Sequence, residues 1–353
     1  MAILKLQGKN ELAFGIYYEV DTTSTPLGSG GMGTVYPALR VDSNGVKREA
    51  AVKFLYNDLP ASVIKRARQE ASIQIKNDNL VEMFGFIETR SQTKEGKDVL
   101  RYHVASELLH GVMLFDLLRG QTKDRFGEEI PYAQELVYLM NTNREQFAFS
   151  IILNVLSGIM ALHDAGYAHR DIDPSNIMVT ADRKIKLIDF GIVKNLSERT
   201  PIQTIAGSFL GKPAYAAPEI VNKYINDQNK TTDIYSIGIL LFELLTGHLP
   251  FEGTTEEVIE KQKSAPLPTD EIRSQDIIKV LRKATAKRQK DRYQTAAEFR
   301  VDIEHLLSGS SGRTSEPQTP ITPTVPSIRI PQWIGWLLIA FLGLLLGIVF
   351  AMI

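Results

Sequence analysis

The 353-residue chain is 44% hydrophobic and 23% charged, the balance of a folded protein long enough for a bilobal domain, or two domains, plus an appendage. With 40 basic against 41 acidic side chains its net charge is -1, so nothing draws it globally to a nucleic-acid polyanion, and no nucleic-acid partner is assigned. The absence of cysteine excludes disulfides, thiolate zinc sites and thiol nucleophiles, and with them the disulfide-stapled secreted class.

The first thirty residues interrupt their short apolar runs with Lys5, Lys9, Glu11, Glu19 and Asp21. No secretory leader is visible there, which places the bulk of the protein in the cytoplasm. Residues 27–35 then read L-G-S-G-G-M-G-T-V, a G-x-G-x-x-G pattern that lets backbone approach phosphate oxygens closely. Alone the pattern is weak, since a flexible turn explains it equally well. Its continuation through Thr34 and Val35 is strand-like, which argues against the dinucleotide-binding fingerprint. The strand-like stretch 48–56 carries Lys53 after Ala51 and Val52. Such a lysine is ordinarily a surface residue, but Glu70, on the helical stretch 61–76, offers it an ion-pair partner.

A second strand-like segment covers 99–108, and up to His110 the segments stay short. From Gly111 onward the periodic segments are helical: 146–164, 232–246, 276–286 and 295–307. Residues 234–245 are apolar enough to suggest a membrane helix. They are short, however, and bounded by Asp233 and Glu243, which favours a buried core helix. Residues 120–144, with mixed charges and Pro131, read as a tolerated surface excursion, with a partner surface as the weaker alternative.

Residues 308–330 are rich in Ser, Thr, Gly and Pro and form a linker, spanning about 26 Å as a random coil. No charged residue follows Arg329. As a helix, residues 333–353 would rise about 31 Å, enough to cross a hydrocarbon core of roughly 30 Å, with Trp333 and Trp336 at the entry. Residues 331–353 are therefore expected to hold the protein to membrane lipid. Since the sequence ends at Ile353, no external domain is expected, and signals would act through the cytoplasmic part, lateral self-association or membrane partners.

The decisive stretch is His169-Arg170-Asp171-Ile172-Asp173-Pro174-Ser175-Asn176, followed by Asp189-Phe190-Gly191. Chance gives His, Arg, Asp and Asn at these offsets together with Asp-Phe-Gly on the order of once in a billion start sites. With these motifs the chain resembles the eukaryotic-like (Hanks-type) Ser/Thr protein kinases of bacteria. The resemblance runs from about Phe14 to Leu307 and includes Ala217-Pro218-Glu219, Asp233-Ile234-Tyr235-Ser236-Ile237-Gly238 and Arg292.

It implies an α+β bilobal kinase fold, with a β-rich N-lobe over 14–110 and a helical C-lobe over 111–307, to which the apolar residues 331–353 add one expected C-terminal transmembrane helix. Leu27, Gly28, Ser29, Gly30, Gly31, Met32, Gly33, Thr34 and Val35 would cover ATP, and Lys53, oriented by Glu70, would hold its α- and β-phosphates. Asn176 and Asp189 would hold Mg2+, while Asp171 would orient the acceptor hydroxyl and take its proton. Ala51 and Met178 would line the adenine pocket, with Ser106 as a small gatekeeper and residues 107–109, including Glu107 and Leu109, as the hinge. Glu219 and Arg292 would form a structural ion pair. Arg170 would receive a phosphate from the activation segment, whose hydroxyls are Ser197, Thr200, Thr204 and Ser208, with Thr204 preferred. Thr319 and Thr322 are accessible hydroxyls in the linker.

Two positions depart from the family pattern. Asp173 stands where the family usually has a lysine that contacts the γ-phosphate, and Lys212 where it usually has a threonine. A charge exchange would make Lys212 a catalytic cation; a structural salt bridge is the equal alternative. The implied activity is ATP- and Mg2+-dependent transfer of the γ-phosphoryl group to Ser or Thr hydroxyls of protein substrates. A membrane-tethered pseudokinase scaffold that binds nucleotide is the alternative kept open by Asp173. A small-molecule kinase is disfavoured by Ala217-Pro218-Glu219 and Tyr215. The stretch from Glu70 to Val81 is about two residues short of the usual spacing, so its helix is expected to end early.

Overall fold

The structure is a computed structural model that describes residues 3–92, 96, 98–189, 194–195, 212–222, 224 and 227–311. Most of the expected linker, the expected membrane segment, Phe190, Gly191, the four activation-segment hydroxyls, Thr319 and Thr322 lie outside these residues.

The N-terminal part is an antiparallel sheet with one helix against it. Its strands are β1 (Ile3–Leu6), β2 (Tyr17–Asp21), β3 (Gly28–Gly30), β4 (Gly33–Val41), β5 (Lys47–Leu55), β6 (Met83–Gln92) and β7 (Asp98–Glu107). The order is β1-β2-β4-β5-β7-β6, with β3 folded back on β4. A short helix, α1 (Lys9–Ala13), joins β1 to β2, so the sheet begins upstream of the Phe14 boundary drawn from the sequence. In β5 the period-2 alternation divides labour. Ala50 and Val52 face a small outer core with Val20, Ile87 and Ala105, while Ala51 and Lys53 face the interlobe cavity. Register fixes this, since a slip of one residue would turn Lys53 away. Lys53 is paired with Val35 on one side and Val104 on the other.

Helix α2 (Ala61–Ala71) packs on β6 and β7 and ends at Ala71, five residues short of the 61–76 reading and in line with the early end that the spacing implies. Ser72 stops it by hydrogen-bonding through its hydroxyl to the Gln69 carbonyl.

The C-terminal part is helical: α3 (Leu114–Leu117), α4 (Pro131–Thr142), α5 (Arg144–Asp164), α6 (Pro218–Val221), α7 (Lys230–Thr246), α8 (Thr255–Ser264), α9 (Gln275–Ala284) and α10 (Ala296–Ser311). Strand β8 (Gly111–Met113) pairs with β10 (Ile177–Thr180), which pairs with β11 (Ile185–Leu187); β9 (Tyr167–Ala168) pairs with β12 (Lys194–Asn195). Helix α5 is the one described helix long and apolar enough to cross a membrane, with mean hydropathy 1.6, yet it is the buried axis of the core. Helix α7 is likewise a buried core helix, capped at Asn229 and closed by Gly247 in the left-handed region.

Two readings change. Residues 120–144 are not an excursion, because Ile130, Ala133, Leu136 and Met140 join the main core, and Pro131 starts α4 at the position where a missing N–H costs nothing. Helix α10 continues to Ser311, so residues 308–311, expected in the linker, are helical.

Candidate active site

The site is organised from beneath by α7. Asp233, in the first turn of that helix, is fully buried and accepts three hydrogen bonds: from the backbone N–H of His169 (2.9 Å) and of Arg170 (2.7 Å), and from Nε2 of His163 (2.7 Å). Burial, the largest single influence, raises its carboxyl, but the bond and charge of His163, with His169 and the Arg170 N–H, together outweigh it and hold Asp233 below the usual carboxylate range. This clamp holds Arg170 at φ +67, a left-handed conformation that a non-glycine residue keeps only when its surroundings dictate it.

The loop so fixed carries the candidate catalytic residues. Asp171 is hydrogen-bonded by Nδ2 of Asn176 at 3.1 Å, and the same amide donates to the Asp171 carbonyl at 2.9 Å. Burial, then Asp173 and Asp189, push the Asp171 carboxyl up to about 6, against the Asn176 bond and the charge of Lys212. Asp173 caps the 3-10 turn of residues 174–176, accepting from the backbone N–H (2.7 Å) and the hydroxyl (2.6 Å) of Ser175. Lys212 Nζ donates to Asp173 Oδ1 and to Ser175 Oγ, each at 2.6 Å.

Above the loop lies a cavity of about 630 Å³ between the sheet and the helical part, a volume suited to a nucleotide-sized ligand. Of the residues singled out from the sequence, Leu27, Gly28, Val35, Ala51, Lys53, Glu70, Ser106, Glu107, Leu109, Met178 and Asp189 line it. Residues 29–34 form the turn above it, and Asp171, Asn176 and Lys212 stand on the catalytic loop side, outside its lining. Lys53 Nζ lies 3.9 Å from Asp189 Oδ2. Burial works against the Lys53 charge, but Asp189 and then Glu70 outweigh it and hold the ammonium above the usual lysine range. Asp189 itself sits at φ +63.

The donor set fits a nucleotide with a hard cation. A Cβ on Gly28, Gly30 or Gly31 would meet nothing within 4 Å, which leaves their backbone open to phosphate oxygens, whereas one on Gly33 would clash with the Phe54 carbonyl. Gly33 is therefore needed for strand packing. No group of three or more His, Cys, Asp or Glu among the described residues is arranged to hold a metal. Two oxygen donors, from Asn176 and Asp189, suit Mg2+, which takes its remaining ligands from phosphate and water.

Three supports were not apparent from the motifs. The Asp233–His163 clamp had one signal, a charged residue inside a helix otherwise buried along its length. Ser175 gives Lys212 its second acceptor. Behind the hinge, the Glu107 carboxylate is ion-paired with Lys186 and accepts from the Glu82 backbone N–H at 2.8 Å, which rigidifies the segment facing the cavity. In the helical part, Arg292 binds Glu219 through two nitrogens at 2.8 and 2.9 Å, both residues buried.

The comparisons agree with this geometry. The family described as Protein kinase domain matches residues 22–302. A probable serine/threonine-protein kinase of Corynebacterium efficiens is 30% identical over 318 residues, covering 85% of this chain and 44% of the relative. A probable serine/threonine-protein kinase PknB of Corynebacterium glutamicum is 29% identical over 327 residues, with 88% and 46% covered. Serine/threonine-protein kinase PknL of Mycobacterium tuberculosis is 30% identical over 292 residues, with 79% and 64% covered. The chain thus spans less than two thirds of the length of these curated relatives. With residues 22–302, most of its length, matched, the chain belongs to the protein kinase domain family.

Proposed function

We propose that this protein is a Ser/Thr protein kinase that transfers the γ-phosphoryl group of ATP, with Mg2+, to hydroxyls of protein substrates from a site anchored to a membrane. Protein kinases of this family use ATP and Mg2+, and the names of the relatives support Ser/Thr acceptors. The observation that carries the reading is the pairing of two ends: Lys53 and Asp189 across the cavity, and Asp171 held by Asn176 at the loop beneath it.

Bound Mg2+ neutralises phosphate charge. Lys53 supports that by binding phosphate oxygens, and Asn176 and Asp189 would hold the ion. Asp171, fixed through its own carbonyl and carboxylate by Asn176, orients the acceptor hydroxyl and accepts its proton. Ala51, Leu109 and Met178 supply apolar walls for the base, and the small Ser106 leaves room behind them. This complete set disfavours the pseudokinase scaffold. Residues 331–353 hold the protein to lipid, with residues 312–330 as tether and the kinase domain, drawn at 14–307, in the cytoplasm.

The test is incubation of the 353-residue chain with labelled ATP, Mg2+ and a generic basic protein, beside Asp171→Asn. Label should enter Ser and Thr, and Asp171→Asn should lower the rate by about 10³-fold. Nucleotide binding without any Asp171-dependent transfer would sink the kinase reading.

A further inference from the structure

We propose that Lys212 is a catalytic residue: it brings a positive charge to the transferring phosphoryl group from the segment between Asp189 and Glu219, with the Asp173 carboxylate as its dock. The inference rests on the kinase reading above.

The two partners differ in environment. The Asp173 side chain is 1% exposed and that of Lys212 is 45% exposed. A carboxylate so buried needs compensation, and among its described partners Lys212 is the cation. The ammonium, by contrast, remains accessible. Of its three N–H donors, two are used among the described residues, on Asp173 and Ser175, which leaves one for a further oxygen.

The position also matches a need of the reaction. Lys53 is engaged with Asp189 at the cavity end. The catalytic-loop end holds two carboxylates, Asp171 and Asp173, both within reach of Asn176 Nδ2, at 3.1 and 3.3 Å. A phosphoryl group moving between these ends meets negative charge on the acceptor side, and Lys212 supplies the cation there. In that step the acceptor oxygen bonds to the γ-phosphorus, the bond from that phosphorus to the bridging oxygen breaks with its electron pair going to ADP, and the hydroxyl proton passes to Asp171. Lys212 keeps its protons and stabilises equatorial oxygen charge. Its third N–H can reach a phosphate oxygen while the other two stay on Asp173 and Ser175, so the buried carboxylate keeps its cation. The rate then depends on where the segment carrying Lys212 is held.

Stability and rate separate the alternatives. Lys212→Met should lower kcat by about 10²-fold with the KM for ATP changed by no more than about threefold. Because that variant strands a buried carboxylate, Asp173→Asn with Lys212→Met is the control: it should recover the melting temperature but stay slow. Asp173→Lys with Lys212→Thr returns a cation to the catalytic loop and should regain rate to within about tenfold of wild type. If Asp173→Asn with Lys212→Met recovers wild-type kcat along with stability, the pair is structural and the inference fails. It fails equally if the folded charge-swapped protein is as slow as Lys212→Met. Wild-type protein that transfers no more than Asp171→Asn would instead overturn the kinase reading itself.

Discussion

His103 shows how a residue far from the chemistry sets the conditions under which this fold persists. It lies 4% exposed on β7, with Nε2 3.1 Å from Thr89 Oγ1 and its ring edge-on to Phe54 at 4.5 Å. Burial, then Arg101, push its pKa down to about 4, so the folded state resists a proton that the unfolded chain takes up near 6.5. Its contribution is intact above pH 6.5 and is lost as pH falls through the window to about 4, amounting to about 3 kcal/mol over that range. In denaturant titrations at pH 7.5 and pH 4.5, wild type should lose about 2–3 kcal/mol more stability than His103→Gln; parallel losses would mean that His103 is not held neutral. At this scale legibility was uneven. Lys53, Asp171, Asn176 and Asp189 could be singled out because phosphoryl transfer demands fixed residue types at fixed spacing. The clamp of Asp233 with His163, and the contact of Ser175 with Lys212, could not, because hydrogen-bonding partners separated by tens of residues leave no local pattern.

Elements were legible where one period governs them. The alternation of β5 and the apolar runs of α5 and α7 are readable because each is dominated by a single buried face or is buried throughout. Helix α4 was missed, since Val137, Tyr138 and Leu139 lie between its buried Leu136 and Met140 and blur the apolar face, and its stability comes from packing on α5. Leu136→Ala on α4 should therefore cost about 2–4 kcal/mol in equilibrium unfolding; a surface excursion would tolerate it. The glycine turn divides in the same physical way. Gly33 pairs with Leu55, and an added Cβ would strike the β5 backbone, so Gly33→Ala should lose about 1–3 kcal/mol of stability. Gly31→Ala should melt within about 0.5 kcal/mol of wild type and show its effect in ATP binding instead. Equal destabilisation by both would refute this division.

Across the whole molecule, charge is distributed unevenly. The 40 basic and 41 acidic side chains all precede residue 330, so the segment read as a membrane helix has no electrostatic means of attachment. Its binding should come from apolar burial alone, unlike that of a polybasic anchor, whose hold weakens as salt shortens the Debye length. Two outcomes follow for cells expressing the chain. Membranes washed with 1 M salt or alkaline carbonate should retain it, and detergent should release it. Leu342→Arg with Leu345→Arg places two charges near the middle of the segment, each costing about 3 kcal/mol on insertion scales, and should move the protein to the soluble fraction. The cavity and catalytic loop are built from residues 27–212, so the same variant should keep its rate toward a soluble substrate. Release by salt alone would show that attachment runs through the charged part of the chain, and a soluble wild type would remove the anchor altogether.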